Sequence, residues 1–159
     1  MRNRRTVDTF ERAKEYSFLL LKFRQRSEKE IRNRLERKEF AIKVIEEVLA
    51  FLKEKGFLDD RRFAVAWTES RLKKPFGLRR VKQELRIKGI AAEIIDQVCA
   101  EAGARYPENK IVDVIALKKL RNYADKDTVT QKRRLYGYLI RRGFSSDVIA
   151  EAINRLVKE

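Results

Sequence analysis

The stretch Val81-Lys82-Gln83-Glu84-Leu85-Arg86-Ile87-Lys88-Gly89-Ile90 repeats its pattern, though not its letters, on either side of itself. Moved back by fifty residues, Val81, Leu85, Lys88 and Ile90 fall on Ile31, Leu35, Lys38 and Phe40. Moved forward by fifty-four, they fall on Leu135, Leu139, Arg142 and Phe144, and Gly89 falls on Gly143. The next stripe follows suit, with Val44, Ile45 and Val48 matching Ile94, Ile95 and Val98, then Val148, Ile149 and Ala152. Apolar coincidences are common between any two amphipathic helices. A basic residue, a glycine and an apolar residue at a fixed distance from both flanking stripes are much rarer. The pattern predicts an all-α chain of three tandem three-helix, helix-turn-helix-like repeats forming an elongated, curved molecule. The first repeat departs at Lys38-Glu39-Phe40, where Glu39 replaces the glycine. Its second helix either ends without a left-handed glycine or leaves Glu39 to bear the strain.

The boundaries follow from the stop and start signals. Residues 1–9 read as a basic, flexible tail, 10–58 as repeat one, 59–104 as repeat two and 105–159 as repeat three. In repeat one, Ser27 with Glu30 has the form of a capping box opening the second helix. Gly56-Phe57-Leu58-Asp59-Asp60, followed by Phe63, reads as the joint to repeat two. Gly56 stops one helix, Phe57 and Leu58 plug the core, and Asp59 or Asp60 caps the next helix, leaving the other for a salt bridge to Arg61 or Arg62. The first helices match less well and require a slip of one residue. Pro107 suits a first helical turn, Asp127 or Thr128 the cap before the last basic helix, and Ala102 to Pro107 the softest joint.

Composition narrows the function. Among 159 residues, 39 Lys and Arg stand against 24 Asp and Glu, a formal charge of +15. That excess points to a polyanionic partner. The absence of histidine and the single cysteine exclude zinc fingers, His-based catalysis and an internal disulfide. Cys99 sits on an apolar stripe and reads as a buried small hydrophobe, and Trp67 as core. Tyr136 and Tyr138 flank Gly137 in a basic helix, where stacking on single-stranded bases competes with ordinary packing of a tyrosine rim. No phosphate-binding glycine loop, metal cluster or activated nucleophile is legible, so neither an enzyme nor a cofactor or metal is expected. The apolar run Phe18 to Leu21 is cut by Lys22 and Arg24 and is far too short to span a bilayer. The expected setting is the cytoplasm.

The charge is not spread evenly. Segments 22–38, 71–88 and 118–142 carry +5, +7 and +7, which leaves −4 for the rest of the +15 chain. Cations therefore gather at the end of each first helix and along each second helix, while the third helices are neutral to acidic. A single basic run is usually a solvated face, and Lys38, Lys88 and Arg142 sit in last turns where any helix favours a cation. Recurrence in three units favours a binding strip instead. Its candidate residues are Arg24, Lys29, Arg32 and Lys38 in repeat one. Repeat two offers Arg71, Lys73, Lys74, Arg79, Arg80, Lys82, Arg86 and Lys88, and repeat three Lys132, Arg133, Arg134, Arg141 and Arg142. Lys29, Arg79 and Arg133 stand near second-helix starts, where a phosphate would meet free N–H groups as well as a cation.

These residues carry a family resemblance. Gly56-Phe57-Leu58-Asp59-Asp60, then Phe63-Ala64, Arg71, Gly77, Leu85 and Lys88-Gly89-Ile90, resemble the signature of the RecX family, bacterial regulators of the RecA recombinase. Leu139 with Arg142-Gly143-Phe144 is similar to that family's third-repeat motif. The resemblance runs from about Ala13 to Leu156 and implies a tandem-repeat, non-catalytic inhibitor, here expected as a monomer. Such proteins lodge in the groove of the RecA filament on single-stranded DNA and limit its growth, ATP hydrolysis and strand exchange; duplex DNA is a further possible partner. Two other readings stay open: a DNA-binding repressor array, and a protein-only scaffold with an acidic partner.

Overall fold

The computed structural model describes residues 4–157, among which there are nine α-helices and no strand. They are α1 (Arg4–Phe23), α2 (Glu28–Glu36), α3 (Ile42–Glu54), α4 (Asp60–Leu72), α5 (Leu78–Ile87), α6 (Ala92–Gly103), α7 (Glu108–Leu120), α8 (Thr128–Arg141) and α9 (Ser146–Leu156). A short 3-10 turn, Arg121–Tyr123, extends α7. Helix α1 starts earlier than the apolar stripe at Phe10 suggests, so positions 4–9, expected to be a flexible tail, are helical. Residues 1–3 lie outside the described residues.

Helix packing stays within each triplet, which gives three cores rather than one. The repeat register is read directly in burial. Ile31, Val81 and Leu135 are fully buried, as are Leu35, Leu85 and Leu139 one turn on. Ile45, Ile95 and Ile149 answer them from the third helices. Each unit closes with two first-to-third and second-to-third helix contacts around these side chains, the arrangement expected when a single helix pair cannot bury its own stripe. Cys99 is buried in the core of the second unit, and burial pushes its thiol pKa up, away from nucleophilic character.

The joint at Gly56 differs in detail from its sequence reading. Gly56 ends α3 at φ 71° and Leu58 is buried, but Phe57 stays half exposed, edge-on to Phe18 at 4.9 Å. Asp59 is the cap of α4, accepting from the Arg62 N–H at 2.9 Å. Asp60 makes no salt bridge to Arg61 or Arg62. It reaches back to the preceding unit, and Arg61 turns instead to Gln97 and Glu101.

Glu39 bears the strain. Its φ is 59°, while its counterparts Gly89 and Gly143 have φ of 79° and 85°. The two glycines answer a second demand absent at Glu39. A Cβ on Gly89 would lie 2.6 Å from the Lys29 Cβ, and one on Gly143 2.2 Å from the Arg80 Cβ. Each of those partners belongs to the preceding unit. Glu39 thus keeps a side chain at a conformational cost of about 1 kcal/mol. Glu39→Gly is expected to raise stability by up to about 1 kcal/mol, less the extra flexibility of the unfolded chain. Urea denaturation should show a higher midpoint at an unchanged slope.

Candidate nucleic-acid interface

One joint is built twice. The cap residue of each second helix receives the basic end of the next unit's second helix. The Ser27 hydroxyl donates to the Lys88 carbonyl at 2.7 Å, and the Gly77 N–H donates to the Arg142 carbonyl at 2.9 Å. An acid in the first turn of the next unit then caps the same helix from outside. The Glu28 N–H donates to Asp60 Oδ1 and the Leu78 N–H to Glu108 Oε1, both at 2.8 Å. The result sets α8, α5 and α2 end to end, each carboxyl end against the next amino end, which also pairs opposite helix-dipole poles. Their residue counts of 14, 10 and 9 correspond to a rail of about 50 Å at 1.5 Å per residue.

This joint narrows one expectation. At the amino ends of α2 and α5 the Glu28 and Leu78 N–H groups are taken by Asp60 and Glu108 of the next unit, and the Gly77 N–H by the Arg142 carbonyl, so fewer N–H groups are left for a phosphate beside Lys29 and Arg79. The stem of Lys29 packs against Gly89 instead. The amino end of α8, near Arg133, has Asp127 as its cap, accepting from the Thr130 N–H.

The two joints differ in their charge. At the first, Glu30 sits between Lys88 at 2.5 Å and Arg24 at 2.9 Å. Burial works against the Glu30 carboxylate, but hydrogen bonds from Arg24 and Lys88 override it and hold its pKa down to about 2. Lys88 also lies 4.8 Å from the ring of Trp67, which stacks on Phe63 and donates to Glu84 at 3.0 Å. At the second joint the place of Glu30 is taken by Arg80. Both Arg80 and Arg142 gather over Phe76, at 4.1 and 5.7 Å. Tyr106, whose hydroxyl donates to the Phe76 carbonyl at 3.2 Å, ties down the 102–107 connection that the sequence marks as softest. Burial pushes its hydroxyl pKa up to about 12.

The seventeen candidate cations divide into those held by carboxylates, those lying over aromatic rings and those without a partner, with Lys29 apart, its stem against Gly89. Arg24, Arg32, Arg71, Arg80, Lys82 and Lys88 are held by carboxylates: Glu30, Glu28 with Glu46, Glu84, Glu84 again, Asp96 and Glu30. Lys38 and Arg134 lie over Tyr16 and Tyr123, and Arg142 over Tyr138 and Phe76. The side chains of Lys73, Lys74, Arg79, Arg86, Lys132, Arg133 and Arg141 have no ion-pair or hydrogen-bond partner among the described residues. Arg79, Arg86, Arg133 and Arg141 are exposed on α5 and α8. Of the three amides on the second helices, Gln131 is committed to the Lys126 carbonyl at 2.9 Å, whereas Asn33 and Gln83 are exposed with no side-chain partner among the described residues. Tyr136 is 40% exposed and Tyr138 lies between Lys119 and Arg142.

Sequence reading missed the external capping by Asp60 and Glu108. Its visible signal was the shift of fifty that aligns Ser27 with Gly77, a pair of helix-start residues too small to be packing units. Asp60 now yields a prediction. Burial pushes its pKa up, so the folded state binds its proton more tightly and the carboxylate form costs stability as pH rises through the raised pKa. Asp60→Asn keeps an acceptor for the Glu28 N–H and should flatten that decline with little loss at neutral pH. Asp60→Ala strands a half-buried N–H and should cost about 1–3 kcal/mol. Urea midpoints of the two variants across the acid-to-neutral range separate these outcomes.

Among the described residues no helix is long and apolar enough to cross a membrane. Residues 13–52, 59–98 and 112–153 match the family models described as the first, second and third three-helix domains of RecX. The chain is 35% identical over 141 residues to the regulatory protein RecX of Haemophilus influenzae strain PittEE, covering 88% of this chain and 91% of that protein. It is 38% identical over 138 residues to the RecX of Clostridium acetobutylicum, covering 84% of this chain and 64% of the relative. Its fold superposes on the crystal structure of RecX from Lactobacillus salivarius with a TM-score of 0.84, at 19% identity over 94% of this chain and 97% of the other. With three domain models in register and relatives matched along most of their length, the chain belongs to the RecX family of regulatory proteins.

Proposed function

We propose that this protein is a non-catalytic modulator of the RecA recombinase. It binds the RecA filament on single-stranded DNA as a monomer in the cytoplasm, limits filament growth, and slows ATP hydrolysis and strand exchange. The observation that carries this reading is the end-to-end line of α8, α5 and α2, with uncommitted Arg79, Arg86, Arg133 and Arg141 on two of its members. Such a rail is matched to an extended polyanion, not to a compact acidic ligand. Its mechanism is binding. The cationic side meets DNA phosphates, the less basic third helices face protein, and one molecule bridges neighbouring RecA subunits. Base readout is thin, since Gln131 is engaged within the protein and only Asn33 and Gln83 remain as free amides on these helices, and this weighs against a sequence-reading repressor.

The test is RecA's DNA-dependent ATP hydrolysis with and without this protein. Inhibition at sub-stoichiometric amounts is the expected result, because blocking growth at one point affects many subunits. An unchanged rate at saturating amounts overturns the proposal. Binding to free single-stranded DNA should weaken with salt at about 0.7 in log K per unit log salt for each phosphate contacted. A flat salt dependence removes the electrostatic part.

A further inference from the structure

The second joint encloses a cleft of about 400 Å3 that the first does not reproduce in chemistry. Its lining includes Arg79, Gln83 and Ile87 from α5, and Ile140, Arg141 and Gly143 from the end of α8. Arg79, Gln83 and Arg141 are exposed, with no side-chain partner among the described residues. Ile87 is 65% exposed, an apolar side chain open to water in the middle of a cationic rail. The acid in the lining, Glu84, is already engaged by Arg71, Arg80 and Trp67. These same interactions lower its pKa against the opposing effect of burial. At the first joint, the shifts of fifty and fifty-four put Lys29, Asn33 and Arg37 in place of Arg79, Gln83 and Ile87, and Ile87 in place of Arg141. There Glu30 supplies the counter-charge internally. The molecule therefore builds one joint with its own anion and leaves the other, with two free arginines, an amide and an apolar floor, to an anion from outside.

We propose that this cleft seats one nucleotide of a single strand, a site that gives the nucleic-acid reading above a fixed point on the rail and rests on that reading. Arg79 and Arg141 take the phosphates on either side of the nucleotide. Ile87 and Ile140 carry the face of the base, and the Gln83 amide, with both a donor and an acceptor, meets its edge. An unpaired base reaches such a cleft without a stacking penalty, so single strands are preferred over duplex. The remaining cations hold the strand on either side without regard to its bases.

Fluorescence anisotropy with a labelled oligo-dT strand tests the proposal, alongside an abasic strand of the same length. Circular dichroism melts confirm that each variant is folded. Wild-type protein should prefer oligo-dT to the abasic strand. Gln83→Ala with Ile87→Ser should erase that preference while leaving the salt slope unchanged. Arg79→Ala with Arg141→Ala should make the slope shallower by about 1.4, two contacts at about 0.7 each. Equal affinity of the wild-type protein for both strands overturns the seat, and so does an unchanged slope in the arginine variant; either leaves the nucleic-acid reading standing. Absence of binding to either strand at low salt overturns that reading, and the seat with it.

Discussion

Gly77→Ala is expected to keep three folded cores and break the link between the second and third. Gly77 has an ordinary φ of −74°, so alanine meets no conformational objection. The obstacle is space. A Cβ there would lie 2.1 Å from the Gly143 carbonyl oxygen and 2.5 Å from the Phe144 nitrogen, both backbone atoms that no rotamer change can move aside. The units must separate by more than an ångström, which costs the Gly77 N–H its bond to Arg142 and loosens the Leu78 N–H on Glu108. Overpacking alone costs about 1–3 kcal/mol. In a repeat array this loss falls on the interface rather than on any one core. Unfolding followed by far-ultraviolet circular dichroism should then part from unfolding followed by the fluorescence of Trp67, the single tryptophan, in the second unit. The separated rail should also inhibit RecA much less. Gly56→Ala serves as the contrast. No atom lies within 4 Å of its Cβ, but its φ of 71° imposes about 1 kcal/mol of local strain. Coincident transitions in Gly77→Ala, with a wild-type denaturant slope, would show that the joint is softer than its geometry implies.

The contrast between these glycines also marks how far the sequence can be read. Periodicity located the units, since Ile31, Val81 and Leu135 are core positions wherever their helices point. It could also flag Glu39 as the odd member, because a glycine at its two counterparts implies a left-handed turn. What it could not supply was the reason for the glycines. Gly77 entered only as one letter of the family signature, while its role is to let another backbone approach, a contact between residues 66 positions apart. Asp60 was misread for the same cause: a carboxylate beside two arginines looks like their partner until the preceding unit is in place. The basic strip was legible as charge. Its division into committed and uncommitted cations was not, because Glu84 and Glu30 choose their partners through the fold.

That division sets the second large effect. Reversing Lys73, Lys74, Lys132 and Arg133 to glutamate should leave stability within about 0.5 kcal/mol of wild type, since none has an ion-pair partner to lose. It should nevertheless weaken single-stranded DNA binding severely. Four phosphate contacts contribute about 2.8 to the salt slope, and at ~0.1 M salt the matching counterion-release factor is on the order of several hundredfold. Reversing Arg80 and Lys82 instead should act mainly on the fold. Arg80 would face Glu84 at 3.0 Å and Lys82 would face Asp96 at 3.0 Å with like charges, and the stack of Arg80 on Phe76 would be lost. Reversal of Glu46 and Glu47 on α3 provides the control, adding positive charge away from the rail while freeing Arg32. Anisotropy titrations at several salt concentrations, paired with urea midpoints for each variant, separate the cases. The expected pattern is lost affinity at constant stability for the first set, lost stability for the second and near-wild-type DNA binding for the third. If affinity instead follows net charge alone, falling for the first two sets and rising for the third, the polyanion is not read by the line of second helices.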